Sequence, residues 1–170
     1  MAEDICTDRP LFGGSISSTF PVRFQDVSNI RQVPDHQEAF VDPSHLANEQ
    51  DAQGFTLVEQ SGVVEVPIGN VSVAVTTAIG KMGVSKARQG REAQNVVQVY
   101  LANLRFKNVG TDVLVVAYEP VLISPLSESA ATVGAGLPAP AAQSGFLPMA
   151  EVFKLAVSNF KVNDWSLFGN

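Results

Sequence analysis

Two neighbouring stretches alternate in apolar residues so densely that they set the fold class. In 95–106, NVVQVYLANLRF, one set of alternate positions carries Val96, Tyr100, Ala102, Leu104 and Phe106, and the other carries Val97, Val99 and Leu101. A period of two is the mark of a strand, and apolar residues on both sets predict a strand covered on both faces. The stretch 111–119, TDVLVVAYE, repeats the pattern, and Lys107 to Gly110 between them supplies the Asn and Gly that suit a hairpin loop. Further strands are expected over 71–79, over 55–60 and 63–66 around a turn at Ser61-Gly62, and over 38–41. Residues 11–21 read as an extended lead-in hinged at Gly13-Gly14. Asp26 is placed to cap a single helical turn over 27–31, and Pro34 ends that turn by pushing Val33 into extended geometry. Near the end of the chain the period changes. Met149, Phe153, Ala156 and Phe160 follow at spacings of four, three and four, which puts them on one face of a helix with Pro148 in its first turn. Trp165 and Phe168 in the tail are expected to pack back on the core. The sum is an α+β fold, an antiparallel sheet sandwiched between helical layers.

The remaining stretches lack periodicity. Residues 1–9 read as a disordered acidic tail, leaving 10–170 as a single domain. Loops are expected over 42–54, over the basic, glycine-punctuated 80–94, and over 120–146, where Pro, Ala, Ser and Gly predict a long mobile loop. No repeat is evident.

Composition narrows the setting. The chain has 170 residues and one cysteine, Cys6, so no internal disulfide can form and a reducing compartment is the simpler expectation. The opening Met-Ala-Glu-Asp is neither the basic start of a secretory signal nor an arginine-rich transit peptide. The longest clean apolar run, 113–118, is far short of the about 20 residues that cross a bilayer. A soluble protein of the nucleus and cytoplasm, with no membrane contact, is expected. The net charge of −6 is uneven. Residues 1–65 hold eleven acids against three bases, whereas 66–107 hold six bases against one acid. An acidic front half disfavours nucleic acid and favours a basic partner.

Candidate chemistry is sparse. His36 and His45 are not at zinc spacing and no cysteine pair accompanies them. Gly80-Lys81-Met82-Gly83 lacks the spacing of a phosphate loop, and the basic stretch around it has no interleaved aromatics for stacking bases. No residue set supports an enzyme, a metal or a cofactor. What stands out is RFQDVSNIRQVPDHQEAFVD, 23–42, too polar for a core. Asp35 and Glu38, three apart after a proline corner and flanked by Arg31 and Gln37, look like a recognition edge. A turn in which Asp35 caps its own backbone explains the same residues.

LFGG at 11–14 followed by Asp-x-Ser-x-x-Arg-x-Val-Pro-Asp-x-Gln-Glu at 26–38 resembles the Mog family of Ran guanine-nucleotide release factors, the plant-type members most of all. The resemblance continues through ANEQDAQGFTLVEQ, NVVQVYLANLRFKNVGTDVLVVAYEP and QSGFLPM to FKVNDWSLFG, nearly the whole chain from Pro10. It implies a fold shared with the photosystem protein PsbP. It also implies binding to the small GTPase Ran, release of its nucleotide and a part in nuclear import, by a monomer. On the matching motif, Asp26, Asn29, Arg31, Asp35, Gln37 and Glu38 are expected in or near the Ran surface. The chain departs from the family pattern at one place. VDPS at 41–44 runs through His45-Leu46 straight into ANEQD, where the family carries an acidic amphipathic helix. The departure after Pro43 implies an internal deletion that uncovers an apolar face of the sheet. It leaves open a Ran-binding module without release activity; against a third alternative, a PsbP-like photosystem subunit, stand the lack of a transit peptide and the Val-Pro-Asp motif.

Overall fold

The computed structural model describes residues 4–30, 33–42, 51–85, 93–126, 130, 136 and 145–169. Its centre is a strand of fifteen residues, labelled β7 below, which spans Val71–Ser85. Bulky residues and small ones alternate along it. Val73, Val75 and Ile79 join the core, while Ala74, Thr76, Ala78 and Gly80 fall on the other face. Its length lets two strands share one of its sides. β5 (Asp51–Gln60) pairs antiparallel with its second half and β6 (Val64–Ile68) with its first. Ser61 fills the joint, its backbone N–H donating to Thr77 O at 2.9 Å and its Oγ accepting from Thr77 N at 2.9 Å. Ser61-Gly62 is therefore a step between two strands that both pair with β7, not the tip of a hairpin.

On the other side of β7 lies β8 (Asn95–Phe106), and β9 (Thr111–Leu122) closes the sheet in the order β5-β7-β8-β9 with β6 beside β7. The β8–β9 hairpin is as the alternation predicted, in register from Phe106↔Thr111 to Leu101↔Val116 and beyond. The strand ends differ from expectation. Asp51–Gly54 and Gly80–Ser85 belong to β5 and β7 rather than to loops, and β9 continues through Pro120 to Leu122. Ladder pairing outweighs the local preference of Gly and Lys against strands. Ile123 then bridges Gly136, while most of the expected 120–146 loop lies outside the described residues.

A second, smaller sheet corrects the expectation for the first residues. β1 (Cys6–Leu11) pairs along its whole length with β2 (Ile16–Pro21), so residues 6–9 are ordered sheet and not a tail. β10 (Lys161–Val162) adds to the far side of β2. The β1–β2 connection turns through three successive left-handed residues, Phe12 at φ 49°, Gly13 at 67° and Gly14 at 91°. Only glycine takes such angles without cost, which explains the Gly-Gly pair of LFGG.

The helix α1 (Met149–Ser158) lies over one face of the large sheet, with Pro148 at its cap. Phe153 and Phe160 pack there with Tyr100, Leu104 and Phe106, and Phe106 is fully buried. A 3-10 turn, Trp165–Phe168, closes over the same residues, with Phe106 and Phe168 stacked at 5.6 Å. The expected packing of the tail is what the structure shows. The fold is thus α+β, with a mostly antiparallel sheet and one helical layer. A second layer does not appear among the described residues. The opposite face of β9 corrects the expectation of a strand covered on both sides: Leu114 is 59% exposed and Tyr118 56%.

One polar group sits inside the helix side of the sheet. Tyr100 donates its hydroxyl to Glu119 Oε2 at 2.9 Å and accepts from Gln98 Nε2 at 2.8 Å. Burial, reinforced by the Glu119 carboxylate, pushes the phenol up to about 12. The unfolded phenol ionises near 10, so the folded state holds its proton where the unfolded state has lost it. Stability is therefore present below pH 10 and falls as pH rises from 10 to 12. Tyr100→Phe is expected to flatten that fall by on the order of 1–2 kcal/mol. Urea unfolding of both proteins at pH 9 and pH 11.5 checks it, and equal losses in the two would contradict it.

Candidate functional site

The polar 23–42 stretch folds back on itself as a hairpin. β3 (Gln25–Asp26) pairs antiparallel with β4 (Phe40–Val41) in a two-stranded sheet of its own. Residues 27–30 and 33–39 belong to the tip, which holds two tight turns. Ile30 N–H donates to Val27 O at 3.0 Å, and Gln37 N–H donates to Pro34 O at 2.8 Å. The first is a turn rather than the helical turn expected over 27–31. Asp26 caps it as the sequence suggested, its Oδ1 accepting from Ser28 N at 2.9 Å. The Ser28 hydroxyl and backbone N–H together hold the Asp26 carboxyl below the usual carboxylate range. Ser28 Oγ also accepts from Ala39 N at 3.0 Å, tying the two arms. The second turn puts Asp35 and His36 at its corner, both exposed.

The hairpin's root is far from polar. Phe20, Phe24 and Phe40 meet edge to face, Phe20 and Phe40 at 5.0 Å between centroids. The Arg9 guanidinium lies over Phe20 and Phe40 and donates to Pro21 O and Phe24 O, each at 3.0 Å. Arg23 lies over Phe24 and Phe146, pairs with Asp4 at 3.0 Å, and pairs with Asp42. Asp4 Oδ2 accepts from Leu147 N at 2.9 Å, so this cluster joins the first described residue, the hairpin and the entry to α1. Cations stacked on aromatic faces and bonded to carbonyls and carboxylates make a stiff base.

Glu38 departs from the reading that made it an exposed acid. It turns inward, and its Oε1 accepts from Phe12 N at 2.8 Å, at the first of the three left-handed residues of LFGG. Its Oε2 is shut from solvent without a hydrogen-bond partner. Glu38 is thus a strut between the hairpin and the β1–β2 turn. Glu38→Ala is expected to cost about 1–2 kcal/mol, because the Phe12 amide loses a charged acceptor while an unpaired oxygen is removed. Glu38→Gln keeps a carbonyl acceptor and should stay within about 0.5 kcal/mol of the parent. Denaturant unfolding, with hydrogen exchange at the Phe12 amide, checks the pair. Equal losses in both variants would contradict the strut.

The structure gathers four of the six expected site residues on the tip's surface: Asp26, Asn29, Asp35 and Gln37 are all exposed. Glu38 stands behind them, and Arg31 lies outside the described residues. One residue at the same place was missed. Ile30 is 81% exposed in the midst of the polar tip and offers a partner an apolar contact there. The sequence hid it, since Val27 and Val33 flank Ile30 at a spacing of three, as on the buried face of a helical turn. Among the described residues no cluster of His, Cys, Asp and Glu is arranged to hold a metal. The tip offers carboxylates, amides and one apolar side chain to a partner, and no nucleophile paired with a base.

Comparison with known proteins decides the family. The profile described as "Ran-interacting Mog1 protein" matches residues 9–67 and 44–120. The chain belongs to the Mog1 family. Among curated relatives, this Mog1-family chain is 26% identical to a "Probable ran guanine nucleotide release factor" of Dictyostelium discoideum, over 94% of this chain and 95% of that one. It is 32% identical to the "Ran guanine nucleotide release factor" of Danio rerio, over 72% of this chain and 83% of that one. Two solved structures share the fold: a Mog1 point mutant (TM-score 0.58, 17% identity, covering 97% of this chain and all of that one) and the Ran-binding protein Mog1p of Saccharomyces cerevisiae (0.59, 18%, 98% and all). The alignments also carry a length difference. The Dictyostelium match runs over 191 positions but takes in about 160 residues here, and the Danio match runs over 154 but takes in about 122. In both, about 30 positions have no counterpart in this Mog1-family chain. The two profile matches overlap over residues 44–67, so the first runs on past Pro43.

Proposed function

We propose that the chain binds the small GTPase Ran through the hairpin tip and weakens Ran's hold on guanine nucleotide, and that it thereby acts in nuclear protein import. The observation that carries this reading is the match, over nearly the whole of both chains, to a Dictyostelium protein named as a probable Ran guanine nucleotide release factor. The tip supports it with the right chemistry. Asp26 and Asp35 stand exposed beside Ile30 on a base fixed by Arg9 and Arg23, so little ordering is needed on binding.

A GTPase holds its nucleotide with a lysine on the phosphates and a magnesium ion. A carboxylate brought beside that lysine competes for it and disfavours phosphate by charge. A partner that binds nucleotide-free Ran best must, by reciprocity, weaken nucleotide binding. Asp35, at the corner of the Pro34–Gln37 turn, takes this role. Glu38 holds the turn in place from behind. The chain is a regulator with no bond-breaking step and no cofactor of its own. It works as a monomer in nucleus and cytoplasm, without nucleic acid or membrane. Reversing the charges with Asp26→Lys and Asp35→Lys together is expected to weaken binding to nucleotide-free Ran about 10–100-fold, mainly through association rate. Both residues are exposed, so folding should persist. Unchanged affinity in surface plasmon resonance would remove the tip from the interface.

The length difference favours a second reading, in which the chain holds Ran without releasing nucleotide. A measurable complex with an unaltered release rate would select it.

A further inference from the structure

Ser28 stands where the backbone ladder of the hairpin runs out. Gln25↔Val41 and Asp26↔Phe40 are the paired positions, and Val27 N–H still reaches Ala39 O at 2.9 Å. One residue further on, a side chain takes over from the backbone: Ser28 Oγ accepts from Ala39 N at 3.0 Å. The hydroxyl hydrogen then has two acceptors in reach, the Asp26 carboxylate and Ala39 O. Ala39 O lies at a long 3.5 Å and already accepts from Val27 N–H. A hydrogen bond to an ionised group is roughly twice as strong as one between neutral groups, so the hydrogen goes to Asp26. Ser28 N–H donates to the same carboxylate, on Oδ1 at 2.9 Å.

One residue thus closes the hairpin arm with its oxygen and holds an exposed acid with its hydrogen and its backbone amide. The two bonds from Ser28 are the main cause of the lowered Asp26 carboxyl; burial acts against them, and the Arg9 guanidinium at the hairpin root adds a smaller pull. Few side chains serve both ends. The hydroxyl of Ser or Thr donates and accepts, whereas alanine does neither. An acid in open solvent otherwise turns among its rotamers, and a partner that has to fix it loses affinity. Ser28 is half-buried while Asp26, Asn29 and Ile30 are exposed, which suits it to holding a contact rather than making one. We infer that Ser28 is a positioning residue for the partner of the tip, one that presents the Asp26 carboxylate as a charged and already oriented acceptor for a cationic side chain. This role rests on the reading of the tip as a Ran-binding surface and adds a residue that acts on the partner through Asp26.

A double-mutant cycle against nucleotide-free Ran tests it, with surface plasmon resonance at pH 7 on the parent, Ser28→Ala, Asp26→Asn and the two together. Ser28→Ala is expected to weaken binding about 3–10-fold, the cost of ordering one side chain on association, and Asp26→Asn at least as much. In the Asp26→Asn background, Ser28→Ala should add less than about a twofold loss, because effects that pass through a shared partner do not add. Ser28→Thr keeps the hydroxyl and should bind within about twofold of the parent. In the free chain, carbon-13 NMR of the Asp26 carboxyl should show its titration midpoint rising toward the ordinary carboxylate value in Ser28→Ala and unmoved in Ser28→Thr. Ser28→Ala also takes the acceptor from Ala39 N, and a loss that came only from a loosened hairpin would be equally large with and without Asp26. That additive outcome, an unaltered affinity in Ser28→Ala, or an Asp26 midpoint that does not move, would overturn the role of Ser28 and leave the Ran reading standing. A parent chain that does not bind Ran, or an Asp26→Asn variant that binds as tightly as the parent, would overturn the Ran reading of Asp26 and the role of Ser28 with it.

Discussion

Arg23→Ala is expected to remove about 3–5 kcal/mol of stability, one of the two largest losses any single substitution should cause here. The side chains of Asp4 and Asp42 are only 5% and 9% exposed, and Arg23 is the cation between them. Taking it away leaves two carboxylates in a place where water reaches them poorly. It also deletes the guanidinium over Phe24 and Phe146 and a donor to Leu147 O. Two controls separate charge from packing. Arg23→Lys restores the charge without the flat fork and should recover roughly half of the loss. Arg23→Met made together with Asp4→Asn and Asp42→Asn removes the charges as a set and should cost less than Arg23→Ala alone. Guanidinium unfolding followed by Trp165 fluorescence reads all three. A loss under about 1 kcal/mol for Arg23→Ala would mean that the cluster contributes no more than a surface ion pair. Because the cluster roots the hairpin, Arg23→Lys should also weaken any partner of the tip at temperatures where the chain is still folded.

Phe106→Ala is expected to cost about 3–5 kcal/mol as well, for an apolar reason. Phe106 is fully buried and meets Phe160, Trp165 and Phe168 at 6.1, 5.7 and 5.6 Å between centroids. Alanine would leave a cavity between the sheet and the closing turn, with three rings losing their shared neighbour. Phe106→Leu fills most of the volume and should cost less than half as much. The tail, held mainly through these rings, should fray before the sheet does. Hydrogen exchange at Leu167 and Gly169 should therefore rise in Phe106→Ala more than exchange within β8. Uniform acceleration across the chain would show that the tail is no separate unit.

What could be read from the amino-acid order follows from where the signal was local. The β8–β9 hairpin and α1 are legible because a period of two and a spacing of four, three and four are set by single elements. β1 was not, because Cys6, Asp8 and Arg9 look like a charged tail and become a strand only through β2, across a turn that needs Gly13 and Gly14. The end of β7 was not, because Gly80, Lys81 and Gly83 disfavour a strand until β5 and β8 pair on either side of them. Covering layers were over-read. Alternating apolar residues state what β9 would bury, and Leu114, Val116 and Tyr118 are nonetheless exposed. At the site, the motif located the hairpin but could not say which acids face out. Asp35 sits on a turn corner in solvent and Glu38, three residues on, points into the protein, a difference made by contact with Phe12 rather than by residue type.

The proposed loosening of nucleotide on Ran rests on an acidic tip held from behind. The most direct measurement is the release rate of a fluorescent guanine nucleotide from purified Ran, with the chain in excess, beside Asp35→Ala and Glu38→Gln. Faster release is expected with the parent chain, with loss of most of that acceleration in Asp35→Ala and retention of it in Glu38→Gln. A cooperatively folded parent chain that leaves the release rate unchanged, or an Asp35→Ala variant as active as the parent, would contradict it.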